Sequence, residues 1–487
     1  MIKPNLSEVF NYAKSGAYKV LPVSTELLSD FITPVEVMRI LKNISGHCYM
    51  LESVAENEQW GHYTFLGYAP KLELTCVDGH MKVGDMHFET DDPGQYIREL
   101  LSEYKSPVLP GLPPFTGGLV GYFAYDYIKY AEPTLSLDAE DTEGFNDVDL
   151  MLFDKVIAFD NFRQKIILIV NIHLDDPEAE YNRAKLELKQ MAELLHNGQP
   201  KKELGGKLKS EITPCFTLDE YREIVEKAKH YIREGDIFQV VPSNRLEAEF
   251  EGSIFDTYRV LRTVNPSPYM FYFSGENIEV AGASPETLVK LEKGILHTFP
   301  IAGSRPRGAT PKEDAALEKE LLADPKECAE HNMLVDLGRN DLGRISKFGT
   351  VEVEEYMSVL RFSHIMHIGS SVRGELKESM DALDAIAAVL PAGTLSGAPK
   401  IRACEIIDEL EKNKRGIYGG AVGYIDFTGN MDTCIAIRIA YKVGGKVYVR
   451  SGGGIVADSV PETEYQETIN KAAAVVKALK LAQEENL

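Results

Sequence analysis

The run from residue 419 to residue 450 constrains the fold more than any other part of the chain. Three stretches, 419–427, 433–441 and 446–450, are rich in β-branched and aromatic residues. They are separated only by short connections built on Gly429-Asn430 and Gly444-Gly445. A chain that reverses in so few residues lays successive strands side by side in opposite directions. Antiparallel sheet is therefore built into this region. Upstream, 48–52, 63–67 and KIILIVNI (165–172) also read as strands. The spacing predicts helices over 177–195, with proline in the first turn, and from Thr217 to about Glu234, where Thr217-Leu-Asp-Glu220 is a capping box. IFQVV (237–241) reads as a strand, and a long helix starts at Pro461. The fold class is α+β, with antiparallel sheets covered by helices.

The 487 residues suggest two to three domains or one large intertwined body. Residues 196–214 are polar with several Gly and Pro and form the best linker candidate, dividing residues 1–195 from residues 215–487. A formal charge of −23 argues against a nucleic-acid surface, which needs clustered Lys and Arg. No run approaches the length of a membrane span, and the N-terminus has no apolar signal core. Cys48, Cys76, Cys215, Cys328, Cys404 and Cys434 have no C-x-x-C spacing, which favours free thiols. Together these features predict a cytoplasmic enzyme with no membrane or nucleic-acid partner.

Several constellations could carry chemistry. LPAGTLSGAPKIRACEIIDE (390–409) is a Gly/Pro/Ser/Thr loop running into a helix, and it lacks the phosphate-loop pattern. Glu327 and Glu330, and again Glu464 and Glu467, are three apart on helices and so share a face. Each pair fits a solvated surface or a hard-oxygen Mg²⁺ site completed by water and substrate. Within 433–441 the alternation sets Arg438 among Cys434, Ala436 and Ala440, where it could fork onto a carboxylate or pair internally with Asp432. Ser451-Gly-Gly-Gly454 lets a ligand approach the backbone or simply turns the chain. PIAGSRPRG (300–308) is a further Gly/Ser/Arg loop. His364 and His367 lie three apart on an expected strand, so at most one faces a given site. No hydrolase elbow, dinucleotide fingerprint or G-x-C-x-G glutaminase centre is present.

These motifs converge on one resemblance. YMLES (49–53), GDIFQVVPS (235–243), NPSPYMFYF (265–273), ASPE (283–286), PIAGSRPRG (300–308), ECAEHNMLVDLGRNDL (327–342), PAGTLSGAPKIRA (391–403), YGGAVGY (418–424), DTCIAIR (432–438) and SGGGIVADSVPETEYQET (451–468) are spread over essentially the whole chain. In these segments the chain resembles the chorismate-utilising enzymes, and within them the component I group of anthranilate synthases. The resemblance implies large antiparallel sheets packed face to face with helices outside, in two intertwined parts. It implies Mg²⁺ held by Glu330 and Glu467 with Glu464 and Glu327 nearby. Chorismate would be contacted by Gly303, Ser304, Tyr418, Arg438, Gly452, Gly453, Gly454 and Lys471. Glu286 and Glu327 are acid–base candidates, and His367 matches the family's catalytic histidine. Ser53, Pro268, Tyr269 and Met270 match a tryptophan-binding regulatory site. Ser304 stands where Thr is usual, and Gly338 and Gly453 where Ala is common.

Two positions sort the alternatives within the family. Members that add water look like they carry Lys as general base where this chain has Gln239. An amide cannot deprotonate water, so Gln239 fits ammonia. Aminodeoxychorismate synthases typically carry a lysine where this chain has Ala302, which cannot be a nucleophile. The expected reaction is therefore chorismate plus ammonia to anthranilate plus pyruvate, a carbon–oxygen lyase step. Ammonia would come from a separate glutamine amidotransferase subunit in a hetero-oligomer, with feedback inhibition by tryptophan. Aminodeoxychorismate synthase component I and a non-catalytic tryptophan-binding paralogue are the alternatives.

Overall fold

The computed structural model describes residues 2–53, 62–202, 205–361 and 365–484. His364 and linker residues 203 and 204 lie outside the described residues. Two sheets, each of twelve strands, form the body, and every pairing between named strands is antiparallel. The first runs from the strand Val20–Leu28 through Lys165–His173, Cys48–Glu52, Tyr269–Ser274 and Ile278–Ser284 to Ser243–Glu251. The second runs from Ile301–Pro306 through Ile365–Glu375, Thr287–Glu292, Ala421–Asp426 and Gly118–Phe123 to Met86–Glu89. Each sheet takes five strands from residues before 196, so the N-terminal and C-terminal halves of the chain interleave in both. The 196–214 segment itself contributes Lys207–Leu208 and Thr213–Pro214, both paired with Ser243–Glu251.

The sheets pack face to face. Tyr49 meets Phe153 edge-on at 4.7 Å, and Tyr122 stacks near Phe273 at 6.1 Å, each contact joining one sheet to the other. Val120, Met151, Val422, Phe271 and Ile439 complete this dry middle layer. A second core lies between the first sheet and the helices Pro34–Ile44, Pro177–Asn197, Phe255–Val264 and Pro461–Leu481. A third lies between the second sheet and the helices Pro325–Ile345 and Ala382–Val389. The expected α+β architecture is thus the one found. The expected helices form at Pro177–Asn197 and Leu218–Glu234. The second has the Thr217–Glu220 capping box and ends at Gly235 in the left-handed region, φ +86°.

The strand expected over 433–441 is instead two strands in different sheets. Met431–Ile435 pairs with Ala421–Asp426 in the second sheet. Ile439–Val443 pairs with Lys446–Gly452 in the first. The chain crosses between sheets at 436–438, and Arg438 takes φ +53° there. A non-glycine residue in that region costs about 1–3 kcal/mol and is held there by its surroundings. Alternation alone could not register this, because the apolar pattern continues unbroken through the crossing. IFQVV likewise yields only Gln239–Val240, paired with Gly397–Ala398 of the Gly/Pro loop.

A buried ion cluster ties the loops at one end of the sandwich. Glu411, Arg415 and Arg450 are 1–2% exposed. Glu411 Oε1 accepts from Arg415 Nη2 at 2.5 Å, and Oε2 accepts from Arg450 Nη2 at 2.8 Å. Ser243 adds its backbone N–H at 2.6 Å. Arg415 donates onward to the carbonyls of Leu395 and Val241, both at 2.6 Å. Burial pushes the Glu411 carboxyl up, but the Arg415 and Arg450 charges outweigh it and hold the group below its ordinary value. A depressed carboxyl contributes stability above its unfolded pKa and loses it as pH falls through the folded value. Glu411→Gln leaves two buried guanidiniums short of a counter-charge and is expected to cost about 3–5 kcal/mol at neutral pH. Urea unfolding should record that loss at pH 7 and a smaller difference at pH 4. A difference that is small at both pH values contradicts the assignment.

Candidate active site

The segments tied by that cluster carry Gln239, Tyr418 and Gly452–Gly454 of the expected site residues. Tyr418 is buried, with the Arg415 and Arg450 guanidiniums 5.7 and 5.9 Å from its ring centre. Gly452 ends the strand Lys446–Gly452, which pairs with Ser243–Glu251. A Cβ on Gly454 would stand 2.3 Å from Gln239 Nε2, so the glycine is what lets Gln239 lie against this backbone. Gln239 is 5% exposed, and its Oε1 has no hydrogen-bond partner among the described residues.

Two acidic helix faces each meet a glycine-bearing segment, one at Gly453 and the other at Gly303. A Cβ on Gly453 would lie 3.3 Å from Glu464 Oε2 and 3.6 Å from Glu467 Oε1. Lys471 Nζ is 2.7 Å from Glu467 Oε1 and donates to the Gly452 carbonyl at 3.0 Å. On the other helix, Glu327 Oε2 is 3.0 Å from where a Gly303 Cβ would be, and Arg305 lies 3.6 Å from Glu327 Oε1. Burial pushes Glu330 up, and the Glu327 and Glu467 charges push it further, against Lys471 and Lys326. Burial also raises Glu464; a Ser459 hydrogen bond opposes this and the Glu467 charge adds to it. The helices Pro325–Ile345 and Pro461–Leu481 thus turn mutually repelling carboxylates toward one space. Among the described residues, no three His, Cys, Asp or Glu side chains gather closely enough to hold an ion by themselves. Mg²⁺ needs only one or two protein carboxylates, with water and substrate oxygens completing its shell. The donor set therefore fits that ion.

His367 lies on the strand Ile365–Glu375, and its Nδ1 is 2.7 Å from the Gly303 carbonyl. A carbonyl can only accept, so Nδ1 carries the proton and Nε2 the lone pair of the neutral ring. Burial lowers the His367 pKa, the Gly303 hydrogen bond opposes this, and the Arg438 charge lowers it further. Gly303 sits at φ +64° where the pairing of Ile301–Pro306 slips, which turns its carbonyl to the imidazole. Ser304 follows it and is exposed.

Arg438 does not pair with Asp432, whose Oδ1 instead accepts from Tyr269 Oη at 2.8 Å. Among the described residues, its guanidinium has no hydrogen-bond or ion-pair partner, and burial lowers its pKa against the nearby Glu286 charge. Glu286 is 9% exposed and accepts from Thr394 Oγ1 at 3.2 Å. Burial pushes its carboxyl up to about 8, against the Thr394 hydrogen bond and the Arg438 and Lys471 charges.

Ser53, Pro268, Tyr269 and Met270 come together elsewhere. They line a cavity of about 460 Å³ between the sheets, with Glu292, Lys290 and Asp432 among its polar residues. The Ser53 hydroxyl is buried there without a partner among the described residues.

Residues 47–477 match the family model described as chorismate binding enzyme. The chain belongs to the chorismate-binding enzymes. Anthranilate synthase component 1 of Pseudomonas aeruginosa is 46% identical over 99% of both chains. The crystal structure of anthranilate synthase component I from Streptococcus pneumoniae superposes with a TM-score of 0.78 at 38% identity, covering 92% of this chain and 98% of that one. The menaquinone-specific isochorismate synthase of Escherichia coli shares the fold, with a TM-score of 0.70 at 19% identity, over 97% and 98% of the two chains. Among chorismate-binding enzymes this chain therefore groups with component 1 of anthranilate synthase.

Some residues of this chorismate-binding enzyme's site are not legible in the sequence. Thr394 sits in a loop that stands out for its glycines and proline, and nothing in its spacing marks it as the partner of Glu286. Glu411 and Arg415 have the spacing of an exposed helix pair, yet the helix ends at Glu411 and both are buried. For Glu286, isotope-edited infrared spectroscopy should find a protonated carboxyl at pH 7 that ionises with a midpoint near 8. The band should vanish in Glu286→Gln, and a midpoint below 5 would contradict the burial argument.

Proposed function

We propose that the chain converts chorismate and ammonia to anthranilate and pyruvate, the ammonia coming from a partner glutamine amidotransferase. The observation that carries this reading is the buried Gln239 amide, whose Oε1 has no partner among the described residues and lies beside the glycine-rich loop. An amide oxygen can accept an N–H of ammonia but cannot take a proton from water. Ala302 offers no amine to attack the ring in ammonia's place. The name of the 46% identical relative supports the same reaction.

The residues divide the work as follows. Arg438 receives the enolpyruvyl carboxylate through its fork, and Tyr418, Ser304 and the amides of Gly303 and Gly452–Gly454 frame the substrate. Glu330 and Glu467 would hold Mg²⁺, with Glu464 and Glu327 close by and Lys471 released from Glu467. The ion would supply positive charge at the ring carboxylate. Gln239 orients ammonia toward C2. As the C2–N bond forms, the two ring double bonds shift and the C4–O bond breaks. Glu286 gives its proton to that oxygen, which departs as water. The new C2 ammonium group sheds a proton to solvent. His367 Nε2 takes the C2 proton as the C3–O bond breaks, and the departing enolpyruvate takes that proton at its methylene carbon, leaving as pyruvate from an aromatic ring.

The isolated chain with chorismate, Mg²⁺ and an ammonium salt should yield anthranilate, followed by its fluorescence, together with pyruvate. Isochorismate or aminodeoxychorismate as product would overturn the reading. Because Glu286 must hold a proton, kcat/KM should fall as pH rises through about 8. Glu467→Gln should lose Mg²⁺ binding in calorimetry and at least about a hundredfold in turnover while its circular dichroism is unchanged.

We infer that the cavity around Ser53, Pro268, Tyr269 and Met270 takes tryptophan as a feedback inhibitor. Its size and apolar walls suit an indole, and Lys290, Glu292 and the Ser53 hydroxyl suit an amino acid's two charges. Ser53→Ala removes one hydrogen bond, about 1–1.5 kcal/mol, and should weaken inhibition about tenfold. The KM for chorismate should not change. Equal inhibition of variant and parent would remove Ser53 from the site.

A further inference from the structure

Beside Glu286 lies a small gap of about 30 Å³. Much of its wall is apolar, but the polar side chains of Glu286, Thr287, Thr298, Asp341 and Thr394 line it as well. That is room for one or two waters, with the polar partners a buried water requires. Within that wall, Asp341 is 5% exposed and paired with Lys400 Nζ at 2.9 Å. Lys400 is further fixed by the Val389 carbonyl at 2.9 Å. Arg344 is the other charge facing Asp341. Gly338, one turn before Asp341, forms part of the wall, and a Cβ there would stand 3.2 Å from Thr298 Cγ2.

A proton donor must be recharged. Once Glu286 has protonated the departing 4-hydroxyl it is a carboxylate facing an occupied site. We propose that the gap is the route by which Glu286 recovers its proton, with Asp341 as the group that hands it over. A water in the gap gives one proton to Glu286 as it accepts one through Asp341, whose carboxylate takes it in the same motion from the ammonium of its ion-pair partner Lys400. Lys400 is then refilled from solvent, which restores the ion pair. One solvent proton enters by this route and the one shed by the new C2 ammonium group leaves, so none is consumed net and no electrons are exchanged. The inference rests on Glu286 being the proton donor, as proposed above.

The test compares the first turnover with later ones in rapid-mixing assays with chorismate, Mg²⁺ and an ammonium salt. In Asp341→Asn, Glu286 begins protonated, so the first turnover should run at the parent rate. Later turnovers should slow about tenfold or more, giving a burst, with the KM for chorismate unchanged. Thr298→Val is nearly isosteric, removes no titratable group and deletes one of the hydroxyls lining the gap, so it serves if the first variant does not fold. The gap water then loses one of its polar partners, which should give the same burst. A first turnover slowed as much as the rest would mean that Asp341 only supports the site, and unchanged steady-state rates in both variants would mean that the gap carries no protons. Either result overturns the proposal. Full turnover in Glu286→Gln would instead show that the reading of Glu286 itself fails, whatever the Asp341 variant does.

Discussion

A single carboxylate, Glu411, is shared by two guanidiniums where water does not reach. Such a cluster is tolerable only when nearly every donor is used, since an uncompensated buried charge costs several kcal/mol. Here Arg415 directs its remaining donors to Leu395 and Val241, and Arg450 to Ser243 and the Lys414 carbonyl. The demand for partners thus pulls separate segments together. Gln239, Thr394, Tyr418 and Gly452–Gly454 all lie within a few residues of a cluster contact. The site's geometry is the by-product of satisfying a buried charge.

The crossing between sheets at 436–438 supplies the other half of the arrangement. It places Arg438 between the two strands, its backbone carbonyl held by the Ala283 N–H at 3.2 Å and its guanidinium committed to neither sheet nor Asp432. The strand just before it, Met431–Ile435, also walls the inter-sheet cavity. Tyr269 Oη, at that cavity, bridges Asp432 at 2.8 Å and Thr287 at 2.9 Å, and Thr287 is the neighbour of Glu286. An occupant of the cavity therefore presses on segments that continue directly into two residues of the catalytic space.

Elements with a local cause were legible in the sequence. The Thr217 capping box, the proline-started helices and the short Gly-Asn and Gly-Gly turns are each decided within a few residues. The glutamates at 327, 330, 464 and 467 fell on the expected helices for the same reason. What the pattern could not carry was long-range. The sheet crossing keeps an apolar alternation on both sides, so it looks like one strand. Thr394 and Asp341 acquire their relation to Glu286 only when a helix, a loop and a strand end close on one gap. Glu411 and Arg415 have a helix-surface spacing that becomes a buried pair only because Arg450 arrives from another strand. The roles expected for Gln239, His367 and Ser53 rest on family resemblance and not on local physics.

The interleaving of the two halves also shapes how the chain is made. Cys48–Glu52 finds its neighbour in Tyr269–Ser274, and Gly118–Phe123 finds its neighbour in Ala421–Asp426. During synthesis from the N-terminus, both early strands emerge long before those partners exist. Their open edges are templates for the wrong chain until the later strands arrive. A ribosome paused midway through this message would hold an adhesive half-sandwich, so translation speed and early chaperone cover become part of this protein's folding problem.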